Sequence, residues 1–208
     1  MTAPLHIKPI ASLDDLIRGR RSIRRYLPAP LPSGLIERLI ETAVHAPSAH
    51  NRQPWRFLVL EDAAGKTRLA GAMGARLRAD RLADGDAADA IEQDVAKSLA
   101  RITGAPAVVV ACFTLADMDR YPDARRAEAE RMMAVQGTAM ALQNLLLLAH
   151  AEGLGACWMC APLFCPDTVK GALTLPADWE PQALVTLGYP ATPGRKRERR
   201  PLAEIVRR

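Results

Sequence analysis

A polar stretch near the end of the first quarter of the chain joins two apolar segments. It reads HAPSAHNRQPWRF over residues 45–57, and a strand-like run continues to residue 60. Its polar members lie between Pro47 and Pro54 and share hydrogen-bonding capacity: Ser48, His50, Asn51, Arg52 and Gln53. A connector needs only about two to six residues and no particular chemistry. This concentration of donors and acceptors therefore requires a functional explanation.

Two basic runs lie near opposite ends of the chain, RGRRSIRR at 18–25 and RKRERR at 195–200. They carry much of the net charge of +5 and of the pI of about 9.3. Such clusters suit capture of a phosphate or another anionic ligand, although basic runs are also common as solvated surface. The net charge is too small to indicate nucleic-acid binding. No aromatic platform interleaves the basic residues either, so we expect no nucleic-acid partner.

Three of the four cysteines form the pattern C-x-x-C-x-x-x-x-C from Cys157 to Cys165. A redox pair needs its first thiol at a helix N-terminus. CWMC instead follows a Gly-Leu-Gly sequence and is typical of a strand, in which Cys157 and Cys160 point to opposite faces. A zinc site needs a fourth ligand at suitable spacing, and none is nearby. We predict no metal and expect the cysteines to be small buried hydrophobes.

Several classes of protein are disfavoured by what the chain does not contain. No G-x-G-x-x-G follows a strand pattern and no G-x-x-x-x-G-K-[ST] is present, which disfavours a Rossmann domain and a P-loop. The N-terminal MTAPLHIKPI has no long apolar region of a secretory signal. No uninterrupted apolar run reaches the ~18 residues of a membrane span. We therefore expect a cytoplasmic protein with no membrane partner.

Hydrophobic periodicity and capping signals predict the elements of one domain over residues 1–208. The predicted helices are 13–18 capped by Ser12, 35–44 capped by Ser33, 123–152, 166–173 and 201–206. The predicted strands are 56–60, 107–113, 156–159 and 183–187. Residues 62–103 are predicted as two polar helices broken at 84–86, an excursion over the surface that could act as a lid. Without strict β-α-β alternation, this pattern indicates an α+β fold.

The helix at 123–152 has a charged first half and a second half, 140–149, that is apolar nearly all round. A helix of this kind is buried on every side. In a chain of 208 residues, a second subunit is the simplest source of the missing cover.

Five spaced segments together resemble the nitroreductase family of flavoproteins. They are RRSIRRY at 20–26, APSAHNRQPWRF at 46–57, QGTAMALQNLLLLA at 136–149, GLGACW at 153–158 and RERRPLAEIV at 197–206. Within this family, the region from GLGACWMC to TLGYP, the middle excursion and YPDARRAEAE resemble the C-terminal reductase domain of the bifunctional enzyme that builds deazaflavin coenzyme F-420. We expect no glutamate-ligase domain within residues 1–208, and APSAHNRQPW is nearer to general nitroreductases.

The resemblance implies a nitroreductase-like three-layer α/β/α sandwich with a central, mostly antiparallel sheet. It implies FMN at a homodimer interface, with each site built from both subunits, and a sheet edge completed by the partner's C-terminal arm, residues 190–208 here. Arg20, Arg21 and Ser22 match the family's phosphate and ribityl ligands. Arg197 and Arg199 match its second phosphate clamp. Arg24 matches the basic residue at the pyrimidine edge, where a cation stabilises the reduced flavin.

The same resemblance explains the polar stretch between Pro47 and Pro54, here named the polar loop. Its counterpart in the family reaches across the dimer to the partner's flavin. Its members with an implied cofactor role are Pro47, Ser48, Ala49, Asn51 and Gln53, whereas a lone loop histidine such as His50 is more typical of surface.

Backbone N–H groups of Cys160 or Ala161 are implied beside flavin N5, since Pro162 has none. Gln143 and Asn144, polar in an apolar helix, need partners on the flavin or across the dimer.

The implied activity is hydride transfer from NAD(P)H through the flavin to a small acceptor, such as a nitroaromatic, quinone or enone, in a ping-pong order. No protein acid or nucleophile is needed, since the cofactor carries the chemistry. One alternative is reduction of the dehydro intermediate in coenzyme F-420 biosynthesis. A second is a flavin-binding module without turnover.

Overall fold

The computed structural model describes residues 12–208. The N-terminal segment on which the expectation of no secretory signal rests lies outside the described residues. The helices are α1 (Leu13–Gly19), α2 (Leu35–Ala43), α3 (Ala63–Ala83), α4 (Ala88–Thr103), α5 (Ala124–Ala151), α6 (Pro166–Leu173) and α7 (Leu202–Ile205), with 3-10 turns at Ala49–Asn51 and Ala161–Phe164. The strands are β1 (Trp55–Leu60), β2 (Ala107–Phe113), β3 (Gly155–Met159) and β4 (Glu180–Gly188).

The four strands form one antiparallel sheet in the order β1-β2-β4-β3. In the central pair, Val109 is opposite Val185, and Val185 is opposite Trp158 of β3 on its other side. The sheet and its helices confirm the predicted α+β class.

Helices cover both faces of the sheet and make it the middle of three layers. Alternate residues of β2 point to opposite sides, as strand geometry requires. Val109 and Ala111 pack with α2 and α5, whereas Val108 and Val110 pack with α3 and α6. All seven residues of β2 are therefore buried, which explains why the strand is a continuous apolar run rather than an alternating one. The predicted three-layer arrangement is confirmed.

Helix α3 departs from the expectation of a surface excursion. Its residues Leu69, Ala70 and Met73 are buried in the core on the second face of the sheet. The helix contains small residues among its arginines, so its contact face is only weakly apolar in sequence. Residues 63–83 thus supply a layer of the fold, and the break between α3 and α4 occurs where it was predicted.

Two predicted helix caps have different outcomes. The hydroxyl of Ser12 accepts a hydrogen bond from the Asp15 amide at 3.1 Å and caps α1, as predicted. The prediction of Ser33 as the cap of α2 is wrong, because the cap position is Gly34 and no side chain bonds there. Gly34 has φ of 75°, a left-handed conformation that glycine adopts without the steric penalty of a side chain.

Helix α5 is long and apolar enough, by length and composition alone, to cross a membrane, which the search for an uninterrupted apolar run did not indicate. The core helix of a globular protein passes the same test. Here Leu142, Leu145 and Ala149 of α5 are fully buried against α2 and the sheet. Its opposite side is open, with Met132 and Met140 exposed by 48% and 40%.

Candidate functional site

The first basic run docks against the edge strand β3. The Ile23 amide donates to the Ala156 carbonyl at 2.9 Å, and Ser22 forms an isolated parallel bridge with Ala156. Gly155 permits this approach, because a Cβ at that position would lie 2.6 Å from Cγ2 of Ile23. The turn at 20–26 is therefore seated on the sheet and presents its arginines from a fixed backbone.

Tyr26 anchors the end of this turn. Its hydroxyl lies 2.6 Å from the Ile23 carbonyl oxygen, 3.0 Å from the Thr186 carbonyl oxygen and 2.7 Å from the Thr186 hydroxyl. Burial raises the pKa of Tyr26 far above its ordinary value, so the phenol stays neutral and can donate. The side chain thereby links the basic turn to the central strand β4.

The C-terminal arm returns to the same turn. Leu27 donates to the Tyr189 carbonyl at 2.8 Å, and Ala191 donates to the Arg25 carbonyl at 3.0 Å. Gly194 then packs against the turn so closely that a Cβ there would lie 2.2 Å from Cβ of Arg21. The second basic run, which follows Gly194, is thus brought beside the first.

The two runs together enclose a cavity of about 650 Å³, here named the arginine pocket. Its lining residues come from the turn and the arm: Arg20, Arg21, Ser22, Ile23, Arg24, Arg25, Thr192, Pro193, Gly194, Arg195, Arg197 and Arg199. Every residue proposed from sequence as a phosphate ligand lines this cavity. The sequence reasoning missed Arg25, Thr192 and Arg195, although both missed arginines belong to the basic runs that it noted.

The arginine pocket is strongly cationic. Seven of its lining residues are arginines and none is acidic. Within residues 12–208, none of these seven arginines forms a salt bridge. The Arg21 guanidinium instead donates to the Arg20 carbonyl oxygen at 2.8 Å. Converging guanidinium groups with hydroxyls of Ser22 and Thr192 are a donor set that fits a phosphate group.

His150, near the end of α5, adjoins this site and was not singled out from sequence. Its Nε2 would lie 3.0 Å from a Cβ on Gly19. Burial and the positive charges of Arg20 and Arg21 lower the pKa of His150. The neutral form of the imidazole is therefore favoured beside the pocket.

The polar loop is held in an unusual backbone conformation. His50, Asn51 and Gln53 have φ of 48°, 54° and 48°, a region that side chains other than glycine adopt uncommonly. The Ser48 hydroxyl accepts from the Gln53 amide at 3.0 Å, and Arg52 forms a 2.6 Å salt bridge with Asp119. Strain of this kind is typical of ligand-binding segments.

In a single chain the polar loop and the arginine pocket are separate. Pro47, Ser48, Ala49, Asn51 and Gln53 do not line the pocket, and neither do Gln143, Cys160 and Ala161. Gln143 is exposed on α5. Asn144 donates to the Ala43 carbonyl at 3.2 Å, so its partner lies in its own chain rather than on a flavin or across a dimer.

The cysteines are free thiols with two kinds of environment. Cys112, Cys157 and Cys165 are buried, as expected, and burial raises the pKa of all three. The expectation is wrong for Cys160, which is exposed because β3 ends one residue earlier, at Met159. Its sulfur accepts from the Trp158 indole at 3.1 Å. Within residues 12–208, no group of three His, Cys, Asp or Glu residues is placed to hold a metal.

Comparisons with known proteins identify the family of this fold and site. The model of the Nitroreductase family matches residues 17–189. An NADH dehydrogenase of Thermus thermophilus is 33% identical, covering 95% of this chain and 96% of the relative. A candidate NAD(P)H nitroreductase of Bacillus subtilis is 29% identical, covering 92% and 91%. A candidate nitroreductase from Desulfovibrio desulfuricans, solved with FMN, has a TM-score of 0.71 and 28% identity, covering 97% and 96%. The chain belongs to the nitroreductase family.

Proposed function

We propose that this chain is an FMN-dependent oxidoreductase that passes hydride from NAD(P)H to a small acceptor. The observation that carries the proposal is the arginine pocket, in which basic runs from the two ends of the chain meet around one cavity. The relatives named for NADH or NAD(P)H chemistry and the solved structure with FMN support the same assignment.

The donor set of the pocket fits the phosphate of FMN. Arg20, Arg21, Arg197 and Arg199 would hold the phosphate, with Ser22 on the adjoining ribityl chain. Guanidinium groups bind phosphate oxygens in pairs and stay charged at all physiological pH. FMN, when bound, would supply the hydride chemistry, and the protein's residues would hold and orient the reactants.

The remaining residues would set the position and polarity of the ring. Arg24 would place a cation at the pyrimidine edge, which favours the reduced form. Ser48 and Asn51 would bond the ring from the polar loop, whose strained backbone is already fixed by the Ser48–Gln53 hydrogen bond. Cys160 or Ala161 would offer an amide near N5 at the end of β3.

We propose a homodimer in which the polar loop of one subunit serves the flavin of the other. The loop does not line the arginine pocket of its own chain, so a second subunit is the simplest source of ring contacts. Each subunit would then contribute the phosphate side of one site and the ring side of the other.

Exposed apolar surfaces support dimerisation. Edge strand β1 leaves Phe57, Leu58 and Val59 only partly buried, and an apolar strand edge of this kind requires cover. The arm exposes Leu202 and Ile205 by 66% and 63%. We propose that the arm, residues 190–208, lines the pocket of its own chain as far as Arg199, that its remaining residues cover the partner and complete its sheet, and that residues 1–208 form one domain.

We also propose that the reaction follows a ping-pong order and that the acceptor is a small molecule. One shared pocket favours departure of the reductant before the acceptor binds. Nitroaromatics, quinones and enones are the acceptor classes to compare, together with the dehydro intermediate of coenzyme F-420 synthesis. We expect the enzyme to act in the cytoplasm.

Anaerobic reduction of the purified protein tests this function. The protein should carry FMN, show the absorbance of oxidised flavin, and bleach on addition of NADH or NADPH. Parallel initial-rate lines for the best acceptor would support the ping-pong order. Flavin that does not bleach with either nucleotide would favour a flavin-binding module, and a protein that binds no FMN would contradict the proposal.

A further inference from the structure

Two arginines of the arginine pocket have no role in the flavin site as proposed. Four arginines are assigned to the FMN phosphate and Arg24 to the ring edge, which leaves Arg25 and Arg195. Both nevertheless line the same cavity. The pocket therefore contains more cationic groups than one flavin engages.

Backbone contacts fix the positions of the two unassigned arginines. The carbonyl of Arg25 accepts from the Ala191 amide at 3.0 Å. Arg195 directly follows Gly194. The backbone of Gly194 packs so closely against Arg21 that a Cβ on this glycine would clash with the Arg21 side chain. Cations held at fixed backbone positions lose less conformational entropy on binding a ligand than those on a solvated tail. The backbone at Arg25 and Arg195 is thus held beside the cavity, while both side chains are exposed and accessible to a ligand.

The charge of the pocket calls for a second phosphate. A phosphomonoester such as that of FMN carries about −1.5 to −2 at pH 7. With five of the seven lining arginines assigned to FMN, Arg25 and Arg195 leave about two positive charges, which one more phosphomonoester would neutralise.

We propose that Arg25 and Arg195 bind the 2′-phosphate of NADPH and so make the enzyme select NADPH over NADH. This inference rests on the proposed function, because it assigns the other arginines to FMN. The two nucleotides differ only in that phosphate, so the discrimination must come from residues that contact it. Arg25 and Arg195 are the residues of the pocket that FMN leaves available.

Adenosine 2′,5′-bisphosphate and 5′-AMP are matched probes, since they differ by the 2′-phosphate alone. Titration calorimetry on the FMN-loaded protein should give a Kd about 10–100-fold lower for the bisphosphate, the range expected for charge-assisted hydrogen bonds. Arg25→Gln and Arg195→Gln should each remove about ten-fold of that difference and leave the Kd of 5′-AMP unchanged. Arg200→Gln is the control, because Arg200 lies on the same arm, pairs with Glu204 and does not line the cavity.

Flavin content per subunit is the second readout. It should stay at the wild-type level in both glutamine variants. Loss of FMN from either variant would assign that arginine to the flavin phosphate and overturn the inference. Arg25→Lys and Arg195→Lys keep the charge and lose the paired guanidinium contacts, so they should retain FMN and lose part of the discrimination. If a glutamine variant does not fold, the Kd values of the corresponding lysine variant test the inference instead.

Different experimental results would contradict the inference and the proposed function. A wild-type protein that binds FMN and bleaches, but has equal Kd for the two probes and equal kcat/KM for NADPH and NADH, contradicts the inference alone. A protein that binds no FMN contradicts the proposed function. Discrimination that appears only between phosphorylated and unphosphorylated acceptors would assign the second phosphate to the acceptor and overturn its assignment to NADPH.

Discussion

The amide of Ile23 donates a hydrogen bond to the carbonyl of Ala156 at 2.9 Å. This bond joins the N-terminal basic turn to the edge strand β3, next to Gly155. It gives the proposed phosphate ligands a rigid support, since the sheet beneath them is buried on both faces. Substitutions that disturb this contact should weaken flavin binding without touching an arginine.

Gly155→Ala should lower both stability and FMN affinity. The added methyl would lie 2.6 Å from Ile23 Cγ2, and overpacking of this kind costs about 1–3 kcal/mol. Gly171→Ala is the control, since nothing lies within 4 Å of its Cβ position in α6, and it should stabilise by about 0.5–1 kcal/mol. Denaturant unfolding and flavin titration measure the two effects. Unchanged FMN affinity in Gly155→Ala would show that the seating of the turn is unimportant.

Tyr26→Phe should destabilise the fold by about 1–3 kcal/mol, because the Thr186 hydroxyl and the Ile23 carbonyl lose a buried partner. Tyr121→Phe alters an exposed phenol and should change the free energy of unfolding little. Urea denaturation measures the free energy of unfolding of both variants. Equal losses of stability in the two variants would contradict the anchoring role of Tyr26.

Stability of the flavin-free protein should fall in mild acid because of His150. Its folded pKa lies below the ordinary value of 6.5, so the unfolded chain binds a proton more readily than the folded one. The contribution is therefore fully present above about pH 6.5 and is lost as pH falls through the folded pKa. His150→Gln should flatten this decline, and His45→Gln, at an exposed position, should not. Unfolding free energies at pH 5.5 and 7.5 test the slope, and an unchanged decline in His150→Gln would rule the effect out.

Cys157→Ala combined with Cys160→Ser should retain flavin and most turnover. One thiol is buried in β3 and the other is exposed beyond its end, and burial raises the pKa of Cys157. Thiolate chemistry between the two is thus disfavoured. Turnover assays with flavin quantified in the same sample provide the check. Inactivity with full flavin content would revive the redox pair.

Continuous or strongly periodic patterns allowed most of the fold to be predicted from sequence. The apolar run of β2 and the Pro-initiated helix α6 have the predicted bounds, since burial on both faces and a fixed proline φ leave few alternatives. The burial of α3 could not be predicted, because small residues near Leu69 and Met73 give its contact face little apolar contrast. The cap of α2 was assigned to Ser33 because serine is a common capping residue. The structure instead places Gly34, with its positive φ, at the cap position.

The candidate site, like the fold, was predicted from sequence only in part. The residues that the basic runs and motif positions predict as phosphate ligands are brought together by the structure in one pocket. The additional members Arg25 and Arg195 depend on the way the arm packs at Gly194, which has no signature in the sequence. The exposure of Cys160 likewise depends on β3 ending at Met159.

The central claim is that the Arg20–Ser22 turn and the Ser48–Asn51 segment serve one flavin from different subunits. Two variants are designed to damage the site from opposite sides. Arg20→Glu places a repelling charge at the phosphate, and Asn51→Ala removes a ring contact. Each homodimer should lose FMN, the first more severely, because a lost charge-assisted hydrogen bond costs about 1.5–3 kcal/mol and repulsion adds to it.

Flavin content after subunit exchange between these two variants tests the claim most directly. In a heterodimer with shared sites, one site carries both substitutions and the other carries neither. At equal mixing, half of the dimers are heterodimers with one intact site each, so FMN binding should recover to about a quarter of all sites. If both segments serve the flavin of their own chain, every site keeps one lesion after exchange. No recovery of flavin would then contradict the shared site.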